Sequence, residues 1–259
     1  MAKKKEKVEQ TTTLVKVKGG YKHKDHEQVF TSVTTVLGRL SKPALNGWYY
    51  KNCSHIIPNA YDILKESQEI GHFLNDYSNA YITGGGIAEG GSSEKYAKVA
   101  SNFNTFASNH KFKDLLVEGK PQTEIQVYDL DIQIAGSFDR LLYIDGKLVL
   151  LDWKTSGAVW DEYLVQLQAY YWMMRDNIQY STLAYDLQEV IAMQKYPSLW
   201  IVRLDKTKDF EYTNDVIKMT PDCRIYEGFK KLARFVTWEK TDFKQITKEI
   251  RKNDESSDS

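Results

Sequence analysis

The pattern of apolar and polar positions indicates helices before strands in the first part of the chain. Thr12–Lys18 alternates with the period of a short strand. Capping residues and apolar spacing predict four helices: from Thr31 or Ser32 to Leu40, from Pro43 to Cys53, from Asn59 to about Ile82, and from Ser92 or Ser93 to about His110. Glycines between residues 84 and 91 predict a mobile loop between the last two helices. The N-terminal part is therefore expected to be mainly helical.

The middle of the chain is rich in β-branched and aromatic residues separated by turn residues. It predicts three successive strands, at Thr123–Tyr128, Ile132–Ile144 and Lys147–Lys154. A helix over Trp160–Arg175, a strand near Ser198–Leu204 and a last helix capped by Thr220 follow. This order of elements predicts an α/β domain with a mixed sheet and a helical N-terminal part.

Composition excludes several classes of protein. The chain has 259 residues, with 35 basic and 35 acidic side chains, so an overall basic charge cannot be the reason for binding an anionic partner. The two cysteines, Cys53 and Cys223, cannot form a disulfide framework or a four-cysteine iron–sulfur site. No apolar run has the length of a membrane span, and the first residues do not resemble a secretory signal, so we expect a cytoplasmic protein.

Two segments are locally basic. Residues 1–24 contain eight lysines against two glutamates, and residues 230–252 contain eight basic residues against three acidic ones. Such segments can contact an anionic polymer, but a solubilising tail and a solvated helix face explain them equally well.

The strongest chemical signal is a predicted hairpin. Asp145-Gly146 is typical of a two-residue turn, which would place Ile144 opposite Lys147. Extended along both strands away from the turn, this register places Asp139 opposite Asp152 and Ser137 opposite Lys154. Side chains alternate along a strand, so Lys154 would share the face of Asp152 and Trp153 would point to the other face.

Directly opposed carboxylates repel each other, and a purely structural sheet gains nothing from them. One of the two can stay protonated, or a hard cation such as Mg²⁺ can lie between them. Lys154 would then favour an anionic substrate and stabilise developing charge or orient a nucleophilic water. The alternative is a surface ion-pair triad without a catalytic role.

Other polar residues are candidates for the same site. Gln166 and Tyr170 lie four apart on a predicted helix and share one face, although Tyr170 could simply pack and Gln166 face solvent. Glu124 would reach the site face with a two-residue loop after its strand, and would turn away with a three-residue loop unless a bulge intervenes. His72 lies within a predicted helix, where a lone histidine is more often a packed or surface residue.

Several segments, in this order, resemble the motifs of a known nuclease family. They are Ala135-Gly136-Ser137-Phe138-Asp139-Arg140, Leu151-Asp152-Trp153-Lys154-Thr155-Ser156 and Gln166-Leu167-Gln168-Ala169-Tyr170, with weaker N-terminal similarity in Thr31–Leu37, Trp48 and Gly71-His72. The chain resembles the RecB-like branch of the PD-(D/E)XK nuclease superfamily, which carries G-x-x-D, D-x-K and Q-x-x-x-Y motifs. Within it, the similarity is greatest to the mitochondrial genome maintenance exonucleases and their phage-encoded relatives.

The resemblance implies a restriction-endonuclease-like fold and a role for each matching residue. Asp139 and Asp152, with the backbone carbonyl of Trp153, would bind Mg²⁺ or Mn²⁺, and Lys154 would position or activate water. His72 would be a further metal ligand or would contact one of the ligands. Gln166 and Tyr170 would orient the site or touch the DNA backbone, and Glu124 is a candidate for an upstream acid. Phe138 replaces the proline of the superfamily's name. The four cysteines of the iron–sulfur members are absent from the sequence, so no such cluster is expected.

The expected activity is a metal-dependent DNA exonuclease that acts on single strands or free ends. The alternatives are a structure-specific endonuclease and a non-catalytic DNA-binding subunit with the same fold. Trp48, Tyr49 and Tyr50 could stack on bases or could belong to a core-facing helix edge. Replication or recombination proteins are possible partners, and the location would be the host cytoplasm if the gene belongs to a phage.

The sequence also suggests where the domain begins and ends. We expect a disordered basic tail over 1–11, one nuclease domain over 12–252 and an acidic tail over 253–259. Within the domain, 12–118 would be the mainly helical part and 119–252 the catalytic core.

Overall fold

A computed structural model describes residues 14–18, 20–23, 29–40, 60–85, 90–117, 120–121, 123–176 and 197–238. The strands are β1 (Leu14–Val17), β2 (Gly20–His23), β3 (Val29–Ser32), β4 (Phe112–Asp114), β5 (Leu116–Val117), β6 (Lys120–Pro121), β7 (Thr123–Asp129), β8 (Ile134–Ile144), β9 (Lys147–Lys154), β10 (Ser198–Arg203) and β11 (Val216–Met219). The helices are α1 (Val33–Leu37), α2 (Ala60–Thr83), α3 (Glu94–Ser108), α4 (Asp161–Asp176), α5 (Tyr212–Asp215) and α6 (Cys223–Trp238). The predicted helix Pro43–Cys53, with Trp48, Tyr49 and Tyr50, lies outside the described residues.

Nine of the described strands form one mixed sheet. Its main path runs β1-β2-β3-β8-β9-β10-β11, and β4 and β7 also pair with β8. The β3–β8 and β9–β10 pairs are parallel, and the remaining pairs of this sheet are antiparallel. The strands β8 and β9, which carry the two predicted acids and the lysine of the site, lie inside the sheet and have neighbours along both edges. The predicted α/β fold with a mixed, helix-flanked sheet is confirmed.

Apolar residues on alternate positions of the hairpin strands face two separate cores. On one side Leu141 and Leu150 pack with α4 and α6. On the other side Leu142 and Leu151 pack with α2 and α3. The sheet is therefore covered by helices on both faces, which is why β8 and β9 are nearly continuous apolar runs.

The hairpin turn forms as predicted. Asp145 and Gly146 have φ of 51° and 78°, as a type I′ turn requires, and Ile144 pairs with Lys147. The expected register continues back to the pair of Arg140 and Leu151 and ends there. The predicted pairs Asp139–Asp152 and Ser137–Lys154 are therefore not part of the ladder.

An irregularity in β8 explains why the ladder stops. Phe138 and Leu141 are three residues apart, yet both lie in the core on the α4 side, so one extra residue interrupts the alternation between them. On the other edge of β8, the β7 ladder passes from the Thr123–Arg140 pair to the Ile125–Phe138 pair without pairing the residues between. Ser137 pairs with Gln126 of β7 rather than with Lys154.

The loop before β8 is longer than either predicted alternative. Asp129 pairs with Ile134, so four residues connect β7 and β8. Glu124 consequently lies at the register position opposite Asp139 rather than Ser137, and its φ of 52° places it in the left-handed region. The prediction for Glu124 assumed a loop of two or three residues, and both lengths are wrong. A bulge, which the prediction allowed for, is present in β8.

The N-terminal part differs from the expectation in its strands. The strand near Thr12–Lys18 is confirmed as β1, but β2 and β3 were not predicted and join β1 to the central sheet. Ser32 does cap α1, accepting a hydrogen bond from the Thr35 amide, and Ser93 caps α3. The last helix begins at Cys223 rather than directly after Thr220. In the described part of the chain no helix meets the length and apolarity needed to cross a bilayer.

Candidate active site

The two predicted acids meet at the point where the hairpin ladder ends. Asp139 accepts a hydrogen bond from the backbone N–H of Trp153, at 2.8 Å between Oδ2 and N, and so reaches across to β9. Asp152 forms an ion pair with Lys154 on the same strand. The Trp153 indole points to the opposite side and packs on Phe103 and Phe106 of α3, as alternation predicts.

Burial and like charge act together on Asp139. Asp139 is half-buried, and the loss of hydration together with the nearby Asp152 charge raises the pKa of Asp139 to about 8. Lys154 and the Trp153 N–H oppose this rise, and Glu124 adds to it. In the absence of a cation, the predicted repulsion is therefore relieved by a proton on Asp139 over most of the neutral pH range.

A hydrogen-bond chain fixes Lys154 on the α4 side. Lys154 donates from Nζ to Oε1 of Gln166 at 3.2 Å, and Gln166 donates from Nε2 to the Tyr170 hydroxyl at 2.9 Å. The ammonium also lies 4.7 Å from the centre of the Tyr163 ring. Despite its burial, the pKa of Lys154 is raised because Asp152 and Asp139 stabilise its charge. Gln166 and Tyr170 thus share one face, as predicted, and Gln166 holds the lysine ammonium in place.

Tyr170 in turn depends on a glycine in β8. A Cβ added to Gly136 would lie 2.5 Å from Cε1 of Tyr170, well inside van der Waals contact. The absence of a side chain at Gly136 lets the tyrosine ring approach the strand. The G-x-x-D strand and the Q-x-x-x-Y helix are therefore complementary in shape.

A polar cavity of about 310 Å³ lies on the other side of Asp139. His72, Glu124 and Asp139 all line it, so the structure brings these three predicted residues together. Glu124 accepts a hydrogen bond from Asn75 of α2, at 3.3 Å between Nδ2 and Oε1. The predicted residues thus form two groups, one around this cavity and one around Lys154, with Asp139 electrostatically coupled to both.

The acids fit a hard divalent cation through their chemistry. Among the described residues no three His, Cys, Asp or Glu side chains are close enough to form a complete ligand set. Mg²⁺ is commonly bound by only one or two carboxylates, with water and substrate oxygens completing the shell. Asp139 and Asp152, two adjacent carboxylates that repel each other, meet that requirement.

Comparison with known proteins agrees with this geometry. A model of the PD-(D/E)XK nuclease superfamily matches residues 88–254, more than half of the chain. The chain belongs to the PD-(D/E)XK nuclease superfamily. No curated protein matches it.

The superfamily match covers one of the two groups of site residues completely. Asp139, Asp152, Lys154 and the Gln166–Tyr170 pair all lie within the matched residues. His72 and the rest of α2 precede them. The PD-(D/E)XK assignment therefore supports nuclease chemistry at the sheet, while the α2 wall of the cavity comes from another part of the chain.

Several polar residues that line the cavity between α2 and the sheet were not identified from the sequence. Arg140 also lines the cavity and forms an ion pair with Asp114 of β4, at 2.7 Å. Asn75 and Asn79 of α2 line it as well. Arg140 could have been recognised as an arginine within an apolar strand and next to a predicted metal ligand. The asparagines carry no comparable signal because they belong to a generally polar helix.

The contact between Gly136 and Tyr170 can be tested with an added methyl group. We expect Gly136→Ala to displace Tyr170, to lower stability by about 1–3 kcal/mol as overpacking does, and to slow cleavage by disturbing Lys154. Thermal unfolding and single-turnover cleavage measure the two effects. Gly228→Ala is the matched control, because nothing lies within 4 Å of the added Cβ in α6; an equal response of both variants would contradict the contact.

The protonation of Asp139 predicts a pH dependence of stability without metal. The folded pKa of about 8 lies above the ordinary value of 3.8 for an aspartate, so the stability that the protonated Asp139 contributes is complete below about pH 4 and is lost as pH rises through 8. We expect Asp139→Asn to unfold at a higher temperature than the unsubstituted protein in EDTA, with a difference that grows from pH 4 to 8. Melting curves at several pH values measure it, and a pH-independent difference would contradict a shifted Asp139.

Proposed function

We propose that this chain is a divalent-metal-dependent DNA exonuclease that hydrolyses phosphodiester bonds in single-stranded DNA or at free ends. Within the superfamily we assign it to the RecB-like branch, near the mitochondrial genome maintenance exonucleases and their phage relatives. Replication, recombination or repair in the cytoplasm is the corresponding setting, with 12–252 acting as one nuclease unit.

One observation carries the proposal: a half-buried carboxylate with a raised pKa lies beside a second carboxylate and a charged lysine. Asp139 and Asp152 would hold Mg²⁺ or Mn²⁺ with the Trp153 carbonyl, and His72 and Glu124 are candidates to complete or support the site. The cation, when bound, polarises the phosphate and lowers the pKa of a water. Because a carboxylate must be ionised to hold a cation, Asp139 would have to give up its proton to serve as a ligand.

The residues of the chain then have separate tasks in hydrolysis. Lys154 presents a compact positive charge where negative charge develops on the phosphate. Gln166 and Tyr170 keep the ammonium in place through the hydrogen-bond chain. A variant in which Lys154 is no longer held in place should slow the chemical step more than it weakens the affinity for DNA.

The preference for a single strand is supported by the walls of the cavity. The side chains of His72, Asn75 and Asn79, all on α2, line the cavity beside Asp139. A cavity of about 310 Å³ can accept about one nucleotide unit, since pockets for small molecules start near this size. A cavity of this size would admit a single strand to Asp139 more readily than a duplex.

The decisive experiment compares DNA substrates that differ only in their ends and pairing. End-labelled single-stranded, duplex and flap DNA are incubated with the protein and Mg²⁺ or Mn²⁺, beside a circular single strand, and product lengths are followed. We expect short products from the linear single strand and none from the circle. Cleavage of the circle would identify an endonuclease, and binding without cleavage of any substrate would identify a non-catalytic DNA-binding subunit.

Lys154 provides the sharpest test of the chemistry. We expect Lys154→Ala to slow single-turnover cleavage by roughly 10²-fold or more, the scale of removing one stabiliser of the transition state. DNA affinity in Ca²⁺ should change little, and Lys154→Arg should rescue poorly because a planar fork does not replace a point charge. A loss of affinity in proportion to rate would make Lys154 a phosphate anchor instead.

A further inference from the structure

Arg140 is buried at an unusual place, directly after Asp139 and beneath the cavity. Its side chain is 2% exposed, and the side chain of its partner Asp114 is 5% exposed. One terminal nitrogen, Nη2, donates to Oδ2 of Asp114 at 2.7 Å and to Oδ1 of Asn79 at 3.4 Å. The guanidinium therefore joins three elements: its own strand β8, the edge strand β4 and the helix α2.

The apolar face of α2 packs on α3 and, through Ile70 and Leu74, into the core that α2 shares with β8 and β9. Tyr77 and Tyr81 pack edge-on against Phe103, and Phe73 packs against Tyr96. These contacts hold the helix on its neighbour but leave its cavity-facing side to polar contacts. Two such contacts reach the sheet directly, Asn79 with Arg140 of β8 and Asn75 with Glu124 of β7.

Stability alone is a weak explanation for this arginine. A buried ion pair regains little more than the desolvation of its two charges, and well-packed apolar residues often do as well. Nε and Nη1 of Arg140 find no acceptor among the described residues, which adds to that cost. The planar guanidinium does offer something that an apolar residue cannot, because it fixes two acceptors on different elements in one plane.

We propose that Arg140 is a positioning residue that fixes α2 as the wall of the cavity, and that this wall sets the access of a single DNA strand to Asp139. The attachment of α2 by Arg140 concerns the fold alone, whereas its effect on the access of DNA rests on the proposed function. Arg140 acts through Asn79 and needs no contact with DNA or metal.

Hydrogen exchange of the metal-free protein tests the attachment without any assay of activity. Asn79→Ala removes the acceptor on α2, and Arg140→Lys keeps a positive charge for Asp114 while losing the planar fork. We expect amides around Asn75–Asn79 to exchange on the order of tenfold faster in both variants, the factor that one hydrogen bond to a charged group supplies. Wild-type exchange in both would overturn the attachment.

A matched control separates this contact from general loosening of α2. Asn104 of α3 also binds α2, through its side-chain hydrogen bonds with the Tyr77 hydroxyl, but it does not line the cavity. We expect Asn104→Ala to leave the KM for single-stranded DNA unchanged, even where it raises exchange in α2.

Steady-state cleavage tests the consequence for access. In Asn79→Ala and Arg140→Lys we expect KM for single-stranded DNA to rise roughly tenfold while kcat stays within about a factor of two, because the reacting groups on β8 and β9 are intact. The ratio of single-strand to duplex cleavage should fall in parallel. Faster exchange with an unchanged KM and ratio would overturn the role in access, whereas a wild-type protein that cleaves nothing would refute the proposed function and leave the attachment to the exchange data.

Discussion

The mutual repulsion of Asp139 and Asp152 is the constraint on which the rest of the site depends. Both carboxylates lie where protein replaces water, so the sheet must supply what hydration would have supplied. It does so with the Trp153 amide on one acid and the Lys154 ammonium on the other. These contacts are insufficient to keep Asp139 ionised at neutral pH. The unmet demand for positive charge is what makes the pair suited to a cation and to a phosphate brought with it.

The two faces of the sheet divide the work around this pair. On the α4 side, Tyr170, Gln166 and Lys154 form a connected chain whose geometry starts from the bare surface of Gly136. On the α2 side, polar residues of a long helix close a cavity over Asp139. A strictly alternating strand would present Asp139 to one side only. The extra residue in β8 lets this carboxylate interact with both groups, consistent with the tendency of bulges to occur near active sites.

Local rules were sufficient for those parts of the site that arise within one hairpin or one helix. The turn chemistry of Asp145-Gly146 determines the register back to Arg140, and helical spacing places Gln166 beside Tyr170. The bulge, the four-residue loop before β8 and the left-handed Glu124 have no such local origin. They reflect how β8 packs simultaneously against β7, β9 and both helical layers. β2 and β3 were missed because four residues carry little pattern, and β1, of the same length, was predicted because the alternation of Thr12–Lys18 extends beyond it.

The residues to which we assign the chemistry and those to which we assign the control of access come from different parts of the chain. The superfamily match begins at residue 88, so it includes the acids, the lysine and the α4 pair but not α2. α2 packs against β8 and β9 through Ile70 and Leu74, and hydrogen bonds of Arg140 and Asn75 add polar contacts at the cavity. In the proposed mechanism, substrate choice would depend on a few polar contacts at the cavity wall and hydrolysis on the electrostatics of two adjacent strands, so a change in one need not alter the other.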